Sequence, residues 1–185
     1  FVSALLEGPI EKMTDMTRGG AKHVIYPLIA DGVPHAVDSL VAVKKVIFED
    51  RAATMAELID ALDANFEGRE DLRQRLLAAP KYGNDDDYAD NLMRMAFDAF
   101  YNAVNGRRNT KGGFYAINLL PTTVHIYFGR VTGATPDGRL AGYPISEGVS
   151  PVQGADRRGP TAVVKSVSKM DHVRTGGTLL NQKFT

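Results

Sequence analysis

The chain has 185 residues, 44% of them hydrophobic, and its 22 acidic residues balance its 22 lysines and arginines. This length and apolar content suit one domain with a buried core. A zero formal charge gives no overall basic surface for nucleic acid or an anionic membrane, and no apolar run approaches the roughly 20 residues that cross a bilayer. We therefore expect no nucleic-acid partner, no membrane partner and a cytoplasmic location.

The two ends of the chain predict a piece of a longer domain. The sequence opens inside an apolar pattern at Phe1 and stops in a strand-like run over residues 178–184. An unpaired apolar strand needs a neighbour for its backbone groups, so we expect a single partial domain over residues 1–185. The alternative is a small complete domain with an N-terminal helix and a C-terminal edge strand.

The first half of the chain is predicted to be mainly helical. An interrupted helix is expected over residues 1–12, followed by a short buried strand over residues 22–29 and a helix that starts near Pro34. The next helix begins at Thr54, because Thr54 and Glu57 have the spacing of a capping box. Its apolar stripe consists of Met55, Leu58, Ile59, Leu62 and Phe66. A shorter helix carries Leu72, Leu76 and Leu77.

The second half mixes helices with strands. Three aspartates at 85–87 lack the alternating spacing of a calcium loop, so we place them at the N-terminus of a helix over residues 86–105. The basic segment 107–113 is interpreted as a solvated loop. Strands are predicted over residues 114–120, 123–128 and 178–184, and a helix opens at Gly159-Pro160. Strands separated by helices indicate an α/β fold.

A long ordered loop is predicted over residues 129–142. It contains four glycines and the turn signal Pro136-Asp137-Gly138, in which proline fixes one φ angle and glycine can adopt a positive one. Loops of this length in compact domains are often functional, although a simple connection has the same composition.

Few residues suggest chemistry by themselves. The four histidines at 23, 35, 125 and 172 have no metal-ligand spacing, and His125 is expected to be a packed histidine in an apolar strand. His35, at a loop-to-helix junction, and His23 and Tyr26, beside a Gly-Gly turn, are either functional or only structural. Asn181 lies in an apolar strand, so its amide needs a structural partner or a ligand.

Five ordered blocks of the sequence resemble the glycyl radical enzymes of the pyruvate formate-lyase superfamily. The blocks are Gly19-Gly20-Ala21-Lys22, Asp38-Ser39-Leu40-Val41-Ala42-Val43-Lys44-Lys45, Ala134-Thr135-Pro136-Asp137-Gly138-Arg139, Gly159-Pro160-Thr161-Ala162 and Gly176-Gly177-Thr178-Leu179-Leu180-Asn181-Gln182-Lys183-Phe184. They are most similar to the branch with choline trimethylamine-lyase, glycerol and propanediol dehydratases and arylacetate decarboxylases.

This resemblance implies part of a ten-stranded barrel with surrounding helices. It also implies a thiyl radical on a cysteine, formed by a glycyl radical that an iron–sulfur, S-adenosylmethionine-dependent activating enzyme installs. Neither radical residue maps onto this chain, which has no cysteine and lacks the radical-glycine motif. The chain would lie between the two radical loops, bind no cofactor or metal itself and be inactive alone. The full-length protein is expected to be a homodimer.

The resemblance leaves the substrate and the reaction open. We expect a lyase or dehydratase that cleaves a C–O, C–N or C–C bond of a small molecule, with substrate contacts from His23, Tyr26, His35, His125 and Asn181. One alternative is pyruvate formate-lyase proper, an acyltransferase. The other is a non-catalytic truncated homologue that serves as a structural or interaction domain.

Overall fold

The computed structural model describes residues 1–120 and 122–182. The named elements are β1 (Ile25–Ile29), α1 (Val33–Ala42), α2 (Met55–Asp63), α3 (Glu70–Ala78), α4 (Asp87–Val104), β2 (Phe114–Asn118), α5 (Val124–Val131) and α6 (Pro160–Ser168). Helix α1 continues as a π-helix over Val43–Glu49, and 3₁₀ turns lie at Val2–Leu5, Met16–Arg18 and His172–Arg174. Helices between strands confirm the predicted α/β class. Among the described residues, no helix is both long and apolar enough to span a membrane.

The sheet is parallel. β1 pairs with β2 in a register that runs from Ile25 opposite Phe114 to Ile29 opposite Asn118. Beyond β2, Thr178 forms a parallel bridge with Leu119, and the Leu179 N–H donates to the Leu119 carbonyl at 3.1 Å. This bridge lies at the start of the strand predicted over residues 178–184, whose residues 183 and 184 lie outside the described part of the chain.

Helices α1 and α4 pack against strand β2 on one face of the sheet. Side chains alternate along a strand, and Ile117 lies on the face that packs against these helices. The core there consists of Val37, Val41, Tyr82, Ala89, Met93, Phe97, Ile117, Leu119, Val149 and Met170. Helix α4 begins as predicted, because the Asp86 carboxylate accepts a hydrogen bond from the Tyr88 N–H at 3.0 Å.

The capping box of α2 is also confirmed. The Glu57 N–H donates to the Thr54 hydroxyl, and the Glu57 carboxylate accepts from the Thr54 N–H at 2.8 Å. The helix ends at Asp63, before the end of the predicted apolar stripe, because Asn65 and Phe66 adopt positive φ angles. Phe66 still packs in a second core between α1, α2 and α3.

Helix α6 is fastened to the N-terminal end of α4 by polar contacts. Lys169 Nζ lies 2.7 Å from Asp90 Oδ2 and 2.8 Å from Asp87 Oδ1. The same Asp90 oxygen accepts from the Ser166 hydroxyl at 2.9 Å, and the Asp90 side chain is fully buried. These contacts join two segments that are distant in sequence.

Four sequence predictions are wrong. The strand predicted to be buried over residues 22–29 is β1, which is mostly exposed. In the strand predicted over residues 178–184, only Thr178 pairs as a bridge and residues 179–182 are not in a strand. The strand predicted over residues 123–128, which contains His125, is instead helix α5 from Val124 onward. A run that is apolar at most positions suggested a strand. In the helix, Gly129 lies so close to Tyr143 that a Cβ there would be 2.3 Å from the Tyr143 carbonyl oxygen. The helix predicted over residues 1–12 is reduced to a 3₁₀ turn at Val2–Leu5, since Gly8 has a φ of +105° and Pro9 follows.

Candidate functional site

A cavity of about 500 Å³ lies between the start of α1, helices α3 and α5, and the loops over residues 137–157. This volume is in the range of small-molecule sites. Its wall mixes apolar and ionisable side chains, which include His35, Arg73, Leu77, Lys81, His125, Asp137, Arg139, Ile145, Glu147 and Arg157. Within the described part of the chain, neither β1 nor β2 contributes to this wall.

Asp137 projects from the predicted long loop into the wall of the cavity. Its side chain is 4% exposed, and its carboxylate accepts hydrogen bonds from the Thr135 hydroxyl and the Arg139 N–H. Burial raises the pKa of Asp137, but the contacts with His35, Thr135 and the Arg139 N–H outweigh burial, so the pKa lies below its usual value. Gly138 has a φ of +98°, and a Cβ there would lie 2.6 Å from Leu77 Cγ. The turn signal thus holds a buried carboxylate.

His35 connects helix α1 to this loop. Its Nδ1 accepts a hydrogen bond from the Ser146 N–H at 3.0 Å, and its own backbone N–H donates to the Ser146 hydroxyl at 3.0 Å. An Nδ1 that accepts carries no proton, so the neutral ring has its proton on Nε2. Nε2 lies 3.0 Å from Asp137 Oδ2, although its N–H direction departs from that of a well-aligned hydrogen bond.

Arg139 holds the rest of the loop together. Its guanidinium donates to the carbonyl oxygens of Tyr143 at 2.7 Å and Leu140 at 3.2 Å, and also to the carbonyl of Gly133. The residue is 8% exposed. Because these donors satisfy carbonyls inside the loop, Arg139 mainly shapes the wall of the cavity.

Lys81 lines the cavity, and its charge interacts with that of the buried Asp38. Lys81 Nζ donates to the carbonyl of Leu76 at 2.7 Å, at the C-terminus of α3. Burial lowers the pKa of Lys81, and the nearby carboxylates of Asp38 and Asp137 oppose this shift. Asp38 accepts the Tyr82 N–H at 2.8 Å on Oδ1, while burial raises its pKa to about 7.

Of the residues predicted from sequence to bind substrate, two line this cavity. They are His35, buried in the contacts described above, and His125, whose ring Nδ1 contacts the Thr122 carbonyl. Asn181 contacts the wall indirectly, because its side-chain amide donates to Glu147 Oε1 at 3.0 Å.

The other two lie elsewhere. His23 is exposed, just before β1. Tyr26 packs edge-on against Tyr115 on the neighbouring strand, with Lys111 Nζ 5.2 Å from its ring centroid. The five residues therefore do not form one cluster, and a substrate contact by any of them stays a prediction.

Polar residues that the sequence reasoning missed lie where β1 and β2 end. Asp31 follows β1, Asn118 ends β2, and Thr122 donates its hydroxyl to Asp31 Oδ2 at 3.0 Å. The carboxyl ends of neighbouring parallel strands are a frequent position for ligand sites in α/β folds. The sequence signal that could have identified Asp31 and Asn118 is a polar residue at the end of a predicted strand. Across the described ranges, no group of three potential metal ligands is found.

This chain belongs to the pyruvate formate lyase-like family. The family model described as pyruvate formate lyase-like matches residues 1–129, and the model described as glycine radical matches residues 145–185. The Pro136-Asp137-Gly138-Arg139 turn lies between the two matched regions. The resemblance recognised in the sequence is therefore confirmed.

Individual relatives cover the chain almost completely. It is 50% identical over 185 residues to a trans-4-hydroxy-L-proline dehydratase of Clostridioides difficile, across the whole chain and 23% of the relative. It is 44% identical over 163 residues to an isethionate sulfite-lyase of Bilophila wadsworthia, across 83% of the chain and 19% of the relative. The chain thus spans less than a quarter of the length of these relatives.

Solved structures agree with this assignment. The crystal structure of hydroxyproline dehydratase from Clostridioides difficile with trans-4-hydroxy-L-proline bound matches with a TM-score of 0.93 at 50% identity, over 98% of this chain and 23% of that one. The glycerol-bound B12-independent glycerol dehydratase from Clostridium butyricum matches with a TM-score of 0.90 at 42% identity, with the same coverage. The fold is that of the corresponding part of these dehydratases.

Proposed function

We propose that the chain is part of a glycyl radical dehydratase that removes water from a small hydroxylated substrate. The observation that carries this proposal is the similarity to a hydroxyproline dehydratase. The chain is 50% identical to that relative over its whole length, and it matches a hydroxyproline dehydratase structure with a TM-score of 0.93. The named substrates of the hydroxyproline and glycerol dehydratases both carry a hydroxyl group, which is the leaving group of a dehydration.

The proposed role of this segment is to supply strands and a pocket wall to a ten-stranded barrel. Ile25, Ile29 and Phe114 share one face of the parallel sheet and are 45–49% exposed, whereas Ile117 on the other face packs against α1 and α4. Parallel sheets are normally covered on both faces. An open apolar face therefore supports a barrel in which this face points inward.

The radical chemistry would come from outside this segment. The chain contains no cysteine, so the thiyl radical implied by the family resemblance, which removes a hydrogen atom from the substrate, must be formed elsewhere in the complete polypeptide. The expected partners are the small-molecule substrate, an iron–sulfur, S-adenosylmethionine-dependent activating enzyme and a second copy of the polypeptide, in the cytoplasm. The residues of this chain would bind and orient the substrate and exclude water.

C–S cleavage is a second candidate reaction, because isethionate sulfite-lyases from several organisms are 42–46% identical to the chain. The names of these relatives favour lyase or dehydratase chemistry over acyl transfer. They also favour an active enzyme over a non-catalytic homologue.

The test uses the complete polypeptide produced without oxygen together with its activating enzyme. We expect a glycyl radical signal in electron paramagnetic resonance and loss of water from trans-4-hydroxy-L-proline or glycerol, with the unactivated polypeptide as the control. Sulfite release from isethionate would select the second candidate. A full radical signal without turnover of any of the three compounds would refute both.

A further inference from the structure

The wall of the 500 Å³ cavity carries a surplus of positive charge. Its basic side chains are Arg73, Lys81, Arg139 and Arg157, and its carboxylates among the described residues are Asp137 and Glu147. With neutral histidines the wall has a net charge of +2, although the whole chain has a formal charge of zero. Like charges that line a concave site raise the local concentration of ions of the opposite sign. The cavity therefore favours an anion.

Two of the four cations have no charge partner in the described part of the chain. Arg139 donates to loop carbonyls, and Arg73 forms an ion pair with a neighbour on α3 at 3.1 Å. Lys81 donates only to two neutral carbonyls at the end of α3, at 2.7 and 3.3 Å. Within residues 1–120 and 122–182, no carboxylate forms an ion pair with Lys81 or with Arg157. These two side chains can each bind a further anionic group.

The side chain of Asn84 holds Lys81 and Arg157 on the same side of the cavity. Its Nδ2 donates to the Lys81 carbonyl at 3.1 Å, and its Oδ1 accepts from the Arg157 N–H at 2.7 Å. The two cations are close enough to repel each other: burial lowers the pKa of Lys81, and the charge of Arg157 lowers it further. An anion between the two side chains would offset this repulsion.

The remainder of the wall favours an organic ligand over an inorganic ion. Apolar side chains of the wall are Leu77, Leu140, Pro144, Ile145, Pro151 and Val152. A site with a few charged groups, an apolar lining and a volume of about 500 Å³ is typical for small organic molecules. The ligand should therefore combine one anionic group with an apolar body.

We propose that this cavity binds a small organic carboxylate, with the carboxylate group between Lys81 and Arg157. The planar guanidinium of arginine can donate two parallel hydrogen bonds to a carboxylate, and the lysine ammonium adds a compact charge. The apolar body of the ligand would pack against Leu77 and Ile145. This inference does not depend on the proposed dehydration, because it rests only on the charges, contacts and shape of the cavity.

The experiment measures binding to the complete, unactivated polypeptide by titration calorimetry, which requires no radical. The probes are benzoate, its neutral analogue benzamide, and acetate, which has the charge without the ring. The variants are Lys81→Met and Arg157→Met. The matched controls are Lys165→Met on α6 and Arg94→Met on α4, both at exposed positions outside the cavity wall. Arg157 is exposed, so Arg157→Met alone decides the test if a thermal melt shows that Lys81→Met prevents folding.

We expect the wild type to bind benzoate at least tenfold more tightly than benzamide, since only benzoate carries the charge. Benzoate should also bind more tightly than acetate, because its ring buries apolar surface. Each variant should weaken benzoate binding about tenfold, the effect of one lost charge-assisted hydrogen bond, while the controls leave it unchanged.

Three results would overturn this inference: no binding of benzoate, equal binding of benzoate and benzamide, or unchanged benzoate binding in the variants. None of these results bears on dehydration, which is measured separately by turnover in the activated polypeptide.

Discussion

Asp38 should make the stability of this chain depend on pH in the direction opposite to that of a paired carboxylate. The residue is fully buried, and burial raises its pKa from 3.8 to about 7. Below pH 3.8 the Asp38 carboxyl is protonated in both the folded and the unfolded state, so it does not change the unfolding free energy. Between pH 3.8 and 7 only the unfolded state loses this proton, so the unfolding free energy falls as pH rises. Above pH 7 the loss of unfolding free energy is constant, on the order of 4 kcal/mol.

The variant Asp38→Asn tests this argument. An amide oxygen can still accept the Tyr82 N–H, but the new amide N–H groups lack a partner, which costs about 1–3 kcal/mol at every pH. We therefore expect Asp38→Asn to be less stable than the wild type at pH 4 and to gain on the order of 4 kcal/mol relative to it by pH 8. Urea unfolding at both pH values measures the difference, with Asp63→Asn as the exposed control. A difference that does not change with pH would contradict the reasoning.

Two further substitutions test the polar contacts. Arg139→Met should lower the unfolding free energy by about 3 kcal/mol, because several loop carbonyls lose their hydrogen-bond donor. Amide hydrogen exchange should accelerate over residues 130–143 but not in α2. Unchanged exchange in the loop would show that Arg139 does not hold it in place. Lys169→Met should cost about 3 kcal/mol, since it removes an ion-pair partner from the buried Asp90. Lys165→Met, at an exposed lysine within α6, should cost less than about 1 kcal/mol. Equal losses in denaturant unfolding would contradict the special role of Lys169.

The helices were predictable where local chemistry decides them. Thr54 and Glu57 accept hydrogen bonds from each other's backbone N–H groups within four residues. At the start of α4, the Asp86 carboxylate accepts the Tyr88 N–H. Both signals depend only on neighbours in sequence. The apolar stripe that follows each cap then identifies the face that packs.

Helix α5 could not be predicted because its sequence fits either structure. Val124, Ile126 and Phe128 alternate as in a strand, and Ile126, Tyr127 and Phe128 are 40–61% exposed in the helix. A short segment that is apolar on several sides gives no periodicity that separates a helix from a buried strand. The contact of Gly129 with Tyr143, between segments outside any short sequence window, favours the helix.

The candidate site was only partly predictable for a related reason. His35 attracted attention because it follows Pro34 at a helix start, but its partners Asp137 and Ser146 lie more than 100 residues away in sequence. Asn118 was hidden in an apolar run. Its buried side-chain oxygen, which has no hydrogen-bond partner among the described residues, is apparent only in the folded structure.

The pairing of β1 with β2 has a consequence for synthesis on the ribosome. Ile25 is opposite Phe114, so 88 residues, including helices α1 to α4, lie between the two partners in the chain. At roughly 5–20 residues per second, β1 must wait about 4–18 seconds before β2 has been made. During that interval β1, with the apolar side chains of Ile25, Leu28 and Ile29, has no partner strand from this segment. Chaperones that bind short apolar stretches of nascent chains should therefore recognise this strand before any other part of the sheet.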